Sequence, residues 1–288
     1  MTVGKFVREY TRTLKEAGVG SARLDCLVLL EDELGCDRAW ILAHPEAEIK
    51  TEQLKELNKK LARRASHEPL AYIRGFSEFY GRRFKVNKRV LEPRPESETM
   101  VNLLCKLVVS HQSLVSSHLK IIDIGTGSGV LAITAKLEIP GAQITATDID
   151  PKCLKVARQN ARALGAKVEF IEGDLLQPFL STNYHLPTTI LANLPYVPNH
   201  WKINEAAAME PRIAIFGGKD GLNMYRRLFE QLKDFKGTTL RPKGRTLNGV
   251  GFVLTESLPP QHEKLAKIAE HSGYKLQKVQ DFIQLFKN

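Results

Sequence analysis

The sequence predicts a doubly wound α/β domain preceded by a small helical one. Beyond about residue 119, apolar runs rich in β-branched residues alternate with helical patterns, as in a parallel sheet covered on both faces. The first of these runs, LKIIDIG, leads through a glycine-rich turn into a helix, and the first 66 residues carry helical periodicity alone. With 288 residues, 43% of them hydrophobic and 26% charged, the chain is long enough for one large core and a smaller one.

In the N-terminal part, Phe6, Tyr10 and Leu14 recur at helical spacing, followed by Leu24, Leu27 and Val28 and then by Leu54, Leu57 and Leu61. Gly18 and Gly20 separate the first two helices, Ser21 and Thr51 stand where N-caps belong, and Gly35 stands where a helix stops. Residues 1–68 are therefore expected to form a helical bundle, with Trp40 in its core. Over residues 69–92 the pattern changes to Tyr72, Ile73, Phe76, Phe79, Tyr80, Phe84 and Val86, punctuated by Gly75 and Gly81, which predicts a linking β-hairpin. Pro93 and Pro95 open a helix through Met100, Leu104 and Val108, the start of a domain spanning 93–288. Strands are expected near 119–124, 142–148, 167–172, 188–193 and 249–255, with helices near 129–138, 151–164, 220–235 and 260–272. The tail 274–286 reads as one or two more strands, and the polar, basic stretch 236–248 as a loop.

No run reaches the 18 or so uninterrupted apolar residues of a membrane span, and the first residues carry charges where a signal peptide would be apolar, so a cytoplasmic protein with no membrane partner is expected. Cys26, Cys36, Cys105 and Cys153 are scattered and are expected to be reduced. The eight histidines form no HExxH motif, so no metal site is expected. A net charge of +10 favours anionic partners, but no basic block interleaved with aromatics stands out, and nucleic acid is not required.

The turn after the first strand reads Gly125-Thr126-Gly127-Ser128-Gly129, a G-x-G-x-G spacing where the dinucleotide fingerprint has G-x-G-x-x-G. Glycines there let the backbone turn sharply and approach a ligand. Asp123 precedes the turn, and a carboxylate suits a cationic group better than a phosphate. S-adenosylmethionine, with its ammonium and sulfonium, fits that requirement. Asp148 ends the second strand, where an acid can accept both hydrogen bonds of a ribose diol. Asp174 follows the third, within reach of an adenine amino group. Asp150 before Pro151 reads as a helix N-cap.

The fourth strand delivers Asn193-Leu194-Pro195-Tyr196 to the carboxyl edge of the sheet. An amide nitrogen is a poor nucleophile whose lone pair is delocalised, so it needs positioning more than a strong base. The Asn193 side-chain oxygen and the Leu194 carbonyl can each accept one N–H of a substrate –NH2, with Pro195 fixing the chain direction and Tyr196 stacking on the planar group. These four residues alone do not separate a glutamine amide from an adenine amine.

The sequence resembles the release-factor glutamine methyltransferases over nearly its whole length. The resemblance is carried by Glu68-Pro69-Leu70-Ala71-Tyr72-Ile73, Phe79-Tyr80-Gly81, Pro93-Arg94-Pro95-Glu96-Ser97-Glu98, the turn Asp123 to Gly129, Asn193 to Tyr196, and Glu210-Pro211-Arg212 through Gly217-Gly218-Lys219-Asp220-Gly221. It implies a Rossmann-like class I methyltransferase domain with a seven-stranded, mostly parallel sheet. It also implies S-adenosylmethionine as cofactor, held by Asp123, Gly125, Thr126, Gly127, Gly129, Asp148, Asp174 and Asn193. The expected substrate is the glutamine of the Gly-Gly-Gln motif in class I peptide-chain release factors, held by Asn193, Pro195, Tyr196 and Glu210 and methylated by a monomer. Glu96 and Glu98 are expected near cofactor or substrate. A ribosomal-protein glutamine, or adenine N6 in RNA or DNA, are the alternatives. Two departures stand out: Leu194 replaces the second position of the family's Asn-Pro-Pro-Tyr, where only a carbonyl is needed, and the last residues lack the family's usual glycine and arginine.

Overall fold

The protein is seen in a computed structural model that describes residues 1–110, 119–180, 188–237 and 250–288. It divides into two compact units, Met1–Phe76 with Ile203–Glu210, and Ser77–Lys202 with Pro211–Asn288.

The first unit is built from helices Val3–Glu16, Ala22–Leu34, Arg38–Ala43, Thr51–Ala65 and Leu70–Arg74. Of the residues at helical spacing, Phe6, Leu14, Leu27, Leu57 and Leu61 form its core together with Leu30 and Ile73, whereas Leu24 is 48% exposed. Gly35 ends the second helix in the left-handed conformation, as expected. The other two cap expectations shift. Ser21 precedes the second helix but turns its hydroxyl to the Asp25 carboxylate, 2.8 Å away, which is buried against Arg64 at 2.6 Å. Thr51 is already helical, and Lys50 is the N-cap, its N–H donating to Gln53. Trp40 is not in the core: it is 40% exposed and stacks on His44, because its short helix buries Ile41 instead.

β1 (Phe76–Phe79) and β2 (Arg82–Lys85) form a hairpin through Tyr80 and Gly81, shorter than the expected 69–92, because Tyr72 and Ile73 lie in the helix Leu70–Arg74 and are buried on it. Tyr80 and Gly81 both have positive φ, 52° and 69°, the geometry of a tight two-residue turn that matches strand twist. Phe79 and Phe84 enter the larger core, and Asn160 bonds both the N–H and the carbonyl of Lys85. Glu98 accepts from the Tyr80 N–H at 2.7 Å, so it anchors the hairpin and not a ligand.

Then follow β3 (Lys120–Ile124), β4 (Gln143–Asp148), β5 (Glu169–Glu172), β6 (Thr188–Ala192), β7 (Val250–Glu256), β8 (Lys275–Gln280) and β9 (Ile283–Lys287). The sheet has seven strands in the order β5-β4-β3-β6-β7-β9-β8, with β9 antiparallel to both neighbours and the other pairs parallel. Side chains alternate between two cores: Ile121, Leu191 and Leu254 pack with Leu104 and Leu131 on one face, and Ile122, Ile190 and Val253 with Tyr225 and Phe229 on the other. This explains why the central strands read as unbroken apolar runs. Each fully buried leucine or phenylalanine here stabilises the fold by about 1.5–3 kcal/mol. The exposed edge strand β8 carries Lys275 and Lys278, charges that discourage pairing with another chain. The loop expected at 236–248 lies, from residue 238, outside the described residues, and its first two positions belong to helix Asn223–Gly237.

The connection from β5 returns across the sheet to β6, beside β3. The order of strands reverses there, and the carboxyl ends of β3 and β6 open a crevice between diverging connections, where ligands bind in folds of this kind.

Candidate active site

A cavity of about 290 Å³ occupies that crevice. Its walls include Gly125, Gly127, Asp148, Asp150, Asp174, Asn193, Leu194 and Pro195, together with Ile149, Cys153, Leu175 and Met224. The structure thus brings the turn after β3, the acids after β4 and β5, and the loop after β6 to one space.

The turn works as a cradle. Gly125 and Gly127 have φ of 71° and 57°, and a Cβ on Gly127 would project into open space with nothing within 4 Å. The Gly127 N–H donates to Asp148 Oδ2 at 2.9 Å, while Asp148 Oδ1 accepts from the Asp150 N–H at 2.9 Å. Burial raises the Asp148 carboxyl above its ordinary range. Asp150 caps the following helix through Lys152, as its place before Pro151 suggests.

Three residues expected to touch the cofactor stand behind the wall. Asp123 is 1% exposed, and its Oδ2 accepts from the Thr126 hydroxyl at 2.6 Å and the Ala132 N–H at 3.1 Å, bracing the turn. Its Oδ1 is buried with no hydrogen-bond partner. Burial pushes this carboxyl up to about 6, against the pull of those two bonds. Thr126 is turned inward to Asp123. Gly129 serves packing, since a Cβ there would lie 2.8 Å from Ile133 and 3.1 Å from Ala157. Asp174 does line the cavity, but its carboxylate is paired with Arg227. The next residue, Leu175, holds a left-handed φ of 53°, a conformation that costs about 1–2 kcal/mol and is tolerated where it shapes a site.

These residues fit S-adenosylmethionine. Asp148 can hold a ribose diol, Ile149, Leu175 and Met224 can flank the adenine, and the open backbone of Gly127 with the unpartnered Asp123 oxygen behind the turn suits the cationic end. The Cys153 thiol is pushed up to about 12 by burial, so it is a neutral wall residue.

On the other side, Asn193 Nδ2 donates to Ser97 Oγ at 3.0 Å, and Ser97 Oγ donates to Glu256 Oε2 at 2.6 Å. The Tyr196 hydroxyl donates to the other oxygen of Glu256 at 3.1 Å. Glu256 is fully buried at the end of β7, and burial raises its carboxyl above the ordinary range. The Leu194 N–H donates to the Tyr225 hydroxyl at 3.2 Å, and that hydroxyl donates to the Glu256 backbone carbonyl. Tyr196 is therefore half-buried and tied inward, and it is not among the residues lining the cavity. Glu210, the other expected substrate contact, is buried and closes the segment Ile203–Glu210 of the first unit.

Gly217 to Gly221 explains how the Asn193 loop is held. A Cβ on Gly217 would lie 2.2 Å from the Pro195 carbonyl oxygen, and one on Gly221 would lie 1.9 Å from that of Tyr196. Backbone packs directly on backbone, and Gln261 Nε2 ties the Tyr196 and Asp220 carbonyls together at 2.8 Å each. Asp220, paired with Arg226 and Lys264, has its carboxyl held well below the usual range.

Glu256, Ser97 and Tyr225 are absent from the sequence-based site. The signal for Glu256 was present, an acid closing an apolar strand beside β6, but its partners lie far away in sequence.

The fold and this cavity define an S-adenosylmethionine-dependent methyltransferase. Residues 98–210 match the methyltransferase small domain and residues 5–75 the PrmC N-terminal domain. The chain is 34% identical to the release factor glutamine methyltransferase of Koribacter versatilis, covering 91% of this chain and 90% of that one. It is 37% identical to the protein of the same name from Bacillus cereus, over 71% of this chain and 72% of the relative. It belongs to the release factor glutamine methyltransferase family. It is also 29% identical to the bifunctional methyltransferase of Rickettsia bellii, spanning 98% of its own length and 53% of that protein. Among solved structures, the hMettl16 catalytic domain shares the fold at 14% identity, with a TM-score of 0.50 and coverage of 82% and 81%.

Proposed function

We propose that the protein methylates the side-chain amide nitrogen of a glutamine in a class I peptide-chain release factor, the Gly-Gly-Gln glutamine being the residue that fits the site. The observation that carries this is the orientation of Asn193. Its amide nitrogen is already bonded to Ser97, which leaves its oxygen as an acceptor at a cavity shared with Asp148.

When bound, S-adenosylmethionine supplies an electrophilic methyl group on a sulfonium. Asp148 and the Gly125 to Gly127 backbone would hold the cofactor, with Asp174 and Arg227 at the cavity wall. Asn193 Oδ1 and the Leu194 carbonyl each accept one N–H of the glutamine –NH2, which turns the nitrogen lone pair toward the methyl group. The same two acceptors stabilise the positive charge that builds on nitrogen, and the extra proton passes to solvent after transfer. Pro195 fixes the direction of the chain between them. Residues 1–68 form the part that recognises the protein substrate.

The test is transfer of labelled methyl from S-adenosylmethionine to a release factor, to its Gln-to-Ala loop variant, and to ribosomal RNA. Label is expected on the intact release factor alone; label on RNA and none on protein would overturn the proposal. Asn193→Ala is expected to cost about 3 kcal/mol of transition-state stabilisation, roughly 100-fold in kcat, with cofactor affinity unchanged.

A further inference from the structure

We propose that Glu256, acting through Ser97, is a positioning residue that fixes which end of the Asn193 amide faces the substrate. The inference rests on the reading that Asn193 holds the substrate amide.

The residues come together through the sheet. Ala192 of β6 is paired with Thr255 of β7, so the next residues, Asn193 and Glu256, stand side by side at the carboxyl edge of the sheet. Ser97 reaches them from the short turn Pro95–Ser97. All of this lies within the second unit.

An ionised carboxylate only accepts hydrogen bonds, and Glu256 accepts at Oε2 from the Ser97 hydroxyl at 2.6 Å, at Oε1 from the Tyr196 hydroxyl at 3.1 Å, and from the Asn193 side chain itself, which asks for the same donor end of that amide. Ser97 has a single hydroxyl proton, and the carboxylate takes it. The Ser97 oxygen then has only lone pairs to offer, so the end of Asn193 that meets it at 3.0 Å must be the donor, Nδ2. Asn193 Oδ1 is thereby left to face away from this network as an acceptor. Reversing the amide would set lone pair against lone pair beside a buried carboxylate.

Removing the acceptor-only group undoes this logic. With a neutral partner able to donate, the Ser97 proton can turn to Asn193 Oδ1, and the amide presents –NH2 to the substrate –NH2. Two donors then face each other, and the substrate lone pair is no longer aimed.

A merely structural role for a buried carboxylate would not make Ser97 and the protonation state matter in the same way. Glutamine in place of Glu256 keeps the shape but can accept at only one of the two positions. Protonation of the carboxyl in the wild-type protein has the same effect. The groups that face it are Glu96 and Ser97 from one side, Asn193 and Tyr196 from the β6 loop, and Tyr225 from the helix behind, while Arg94 lies near Tyr196 and His262 bonds the neighbouring Ser257 carbonyl.

The experiment measures kcat for methyl transfer to a bacterial class I release factor, at saturating S-adenosylmethionine, across pH. Glu256→Gln and Ser97→Ala are compared with Asn193→Ala, with cofactor Kd followed by calorimetry. Both positioning variants are expected to lose about tenfold or more in kcat, with cofactor Kd within about twofold. Wild-type kcat is expected to fall on the acid side, and Glu256→Gln to lack that limb. Wild-type kcat in Ser97→Ala, with Asn193→Ala inactive, would overturn the positioning role and leave the proposed function standing. An active Asn193→Ala would instead overturn the clamp on which the inference rests. If Glu256→Gln does not fold, Ser97→Ala, which changes no charge, decides alone.

Discussion

Two glycine-rich segments flank the active site, and they use the missing side chain for different ends. In the turn after β3, Gly127 has room around it: a Cβ would meet nothing within 4 Å, and the space belongs to the cavity. In Gly217 to Gly221 there is no room at all, with hypothetical Cβ atoms 1.9 to 2.2 Å from the carbonyl oxygens of Tyr196, Pro195 and Gly221. The first segment keeps space open for a ligand. The second lets one stretch of backbone press against another and so fixes where Asn193 and Leu194 stand. A glycine motif in a sequence therefore marks close approach without saying whether a ligand or the chain itself is approached.

Alanine substitutions separate the two cases. Gly221→Ala forces a Cβ into the Tyr196 carbonyl at a residue with φ of 80°, and is expected to cost more than about 4 kcal/mol, enough to prevent accumulation of folded protein. Gly127→Ala carries only the left-handed penalty of about 1–2 kcal/mol, and is expected to fold while binding cofactor weakly. Chemical denaturation and cofactor calorimetry on the pair check this. A Gly221→Ala protein as stable as the wild type would mean that the Asn193 loop is held by something else.

The next largest effect concerns Asp123, the brace of the open turn. Its folded carboxyl sits at about 6 against an ordinary 3.8. A raised carboxyl contributes stability that is fully present below its unfolded pKa and is lost as pH rises through about 6. The difference corresponds to roughly 3 kcal/mol for this fully buried group. Denaturation of the cofactor-free protein at pH 4 and pH 8 is expected to show most of that loss, and Asp123→Asn to remove it. A cationic ligand nearby favours the ionised form, so cofactor should stabilise the wild type most above that range. Identical pH slopes for wild type and Asp123→Asn would place the ionisation elsewhere.

Asp148→Ala follows. It removes the acid that lines the cavity and orders the Gly127 N–H, and is expected to weaken cofactor binding by about tenfold or more, the size of a lost charged hydrogen bond. Turnover at saturating cofactor should change less. Unchanged affinity would mean that the ribose is held by another group.

The contrast between the two segments also shows what the sequence made legible. Strand periodicity and the position of Asp148 and Asn193 at strand ends led directly to the cavity, because a residue's place at the carboxyl edge follows from local pattern alone. Asp123, Thr126 and Gly129 sit in the same motif but face inward, and which way they face depends on the Ala132 N–H and the Ala157 side chain across the helix pair. Glu256 was hidden for a stronger reason. Its hydroxyl partner Ser97 is 159 positions away; the β6–β7 register brings Glu256 to Asn193, and Ser97 arrives from the separate turn Pro95–Ser97. Trp40 was misplaced because large apolar residues are usually buried, whereas this short helix has one inward face, taken by Ile41.

The smallest expected effect lies at Leu194, where the family's usual residue is proline. The leucine is not a passive substitute. Its N–H donates to the buried Tyr225 hydroxyl, a bond that proline cannot make, and its side chain is 3% exposed and lies against Gly125, where a Cβ would come within 3.1 Å of it. Leu194→Pro would leave the Tyr225 oxygen short of a donor and empty part of a packed contact, so a loss of about 1–2 kcal/mol in stability is expected. The carbonyl proposed to meet the substrate amide is retained, so kcat should stay within about threefold of wild type. Denaturation midpoints beside single-turnover rates separate these outcomes. A large fall in kcat without loss of stability would show that the second position of this motif acts through more than its carbonyl. A stable and fully active proline variant would show instead that Tyr225 and Gly125 tolerate either residue.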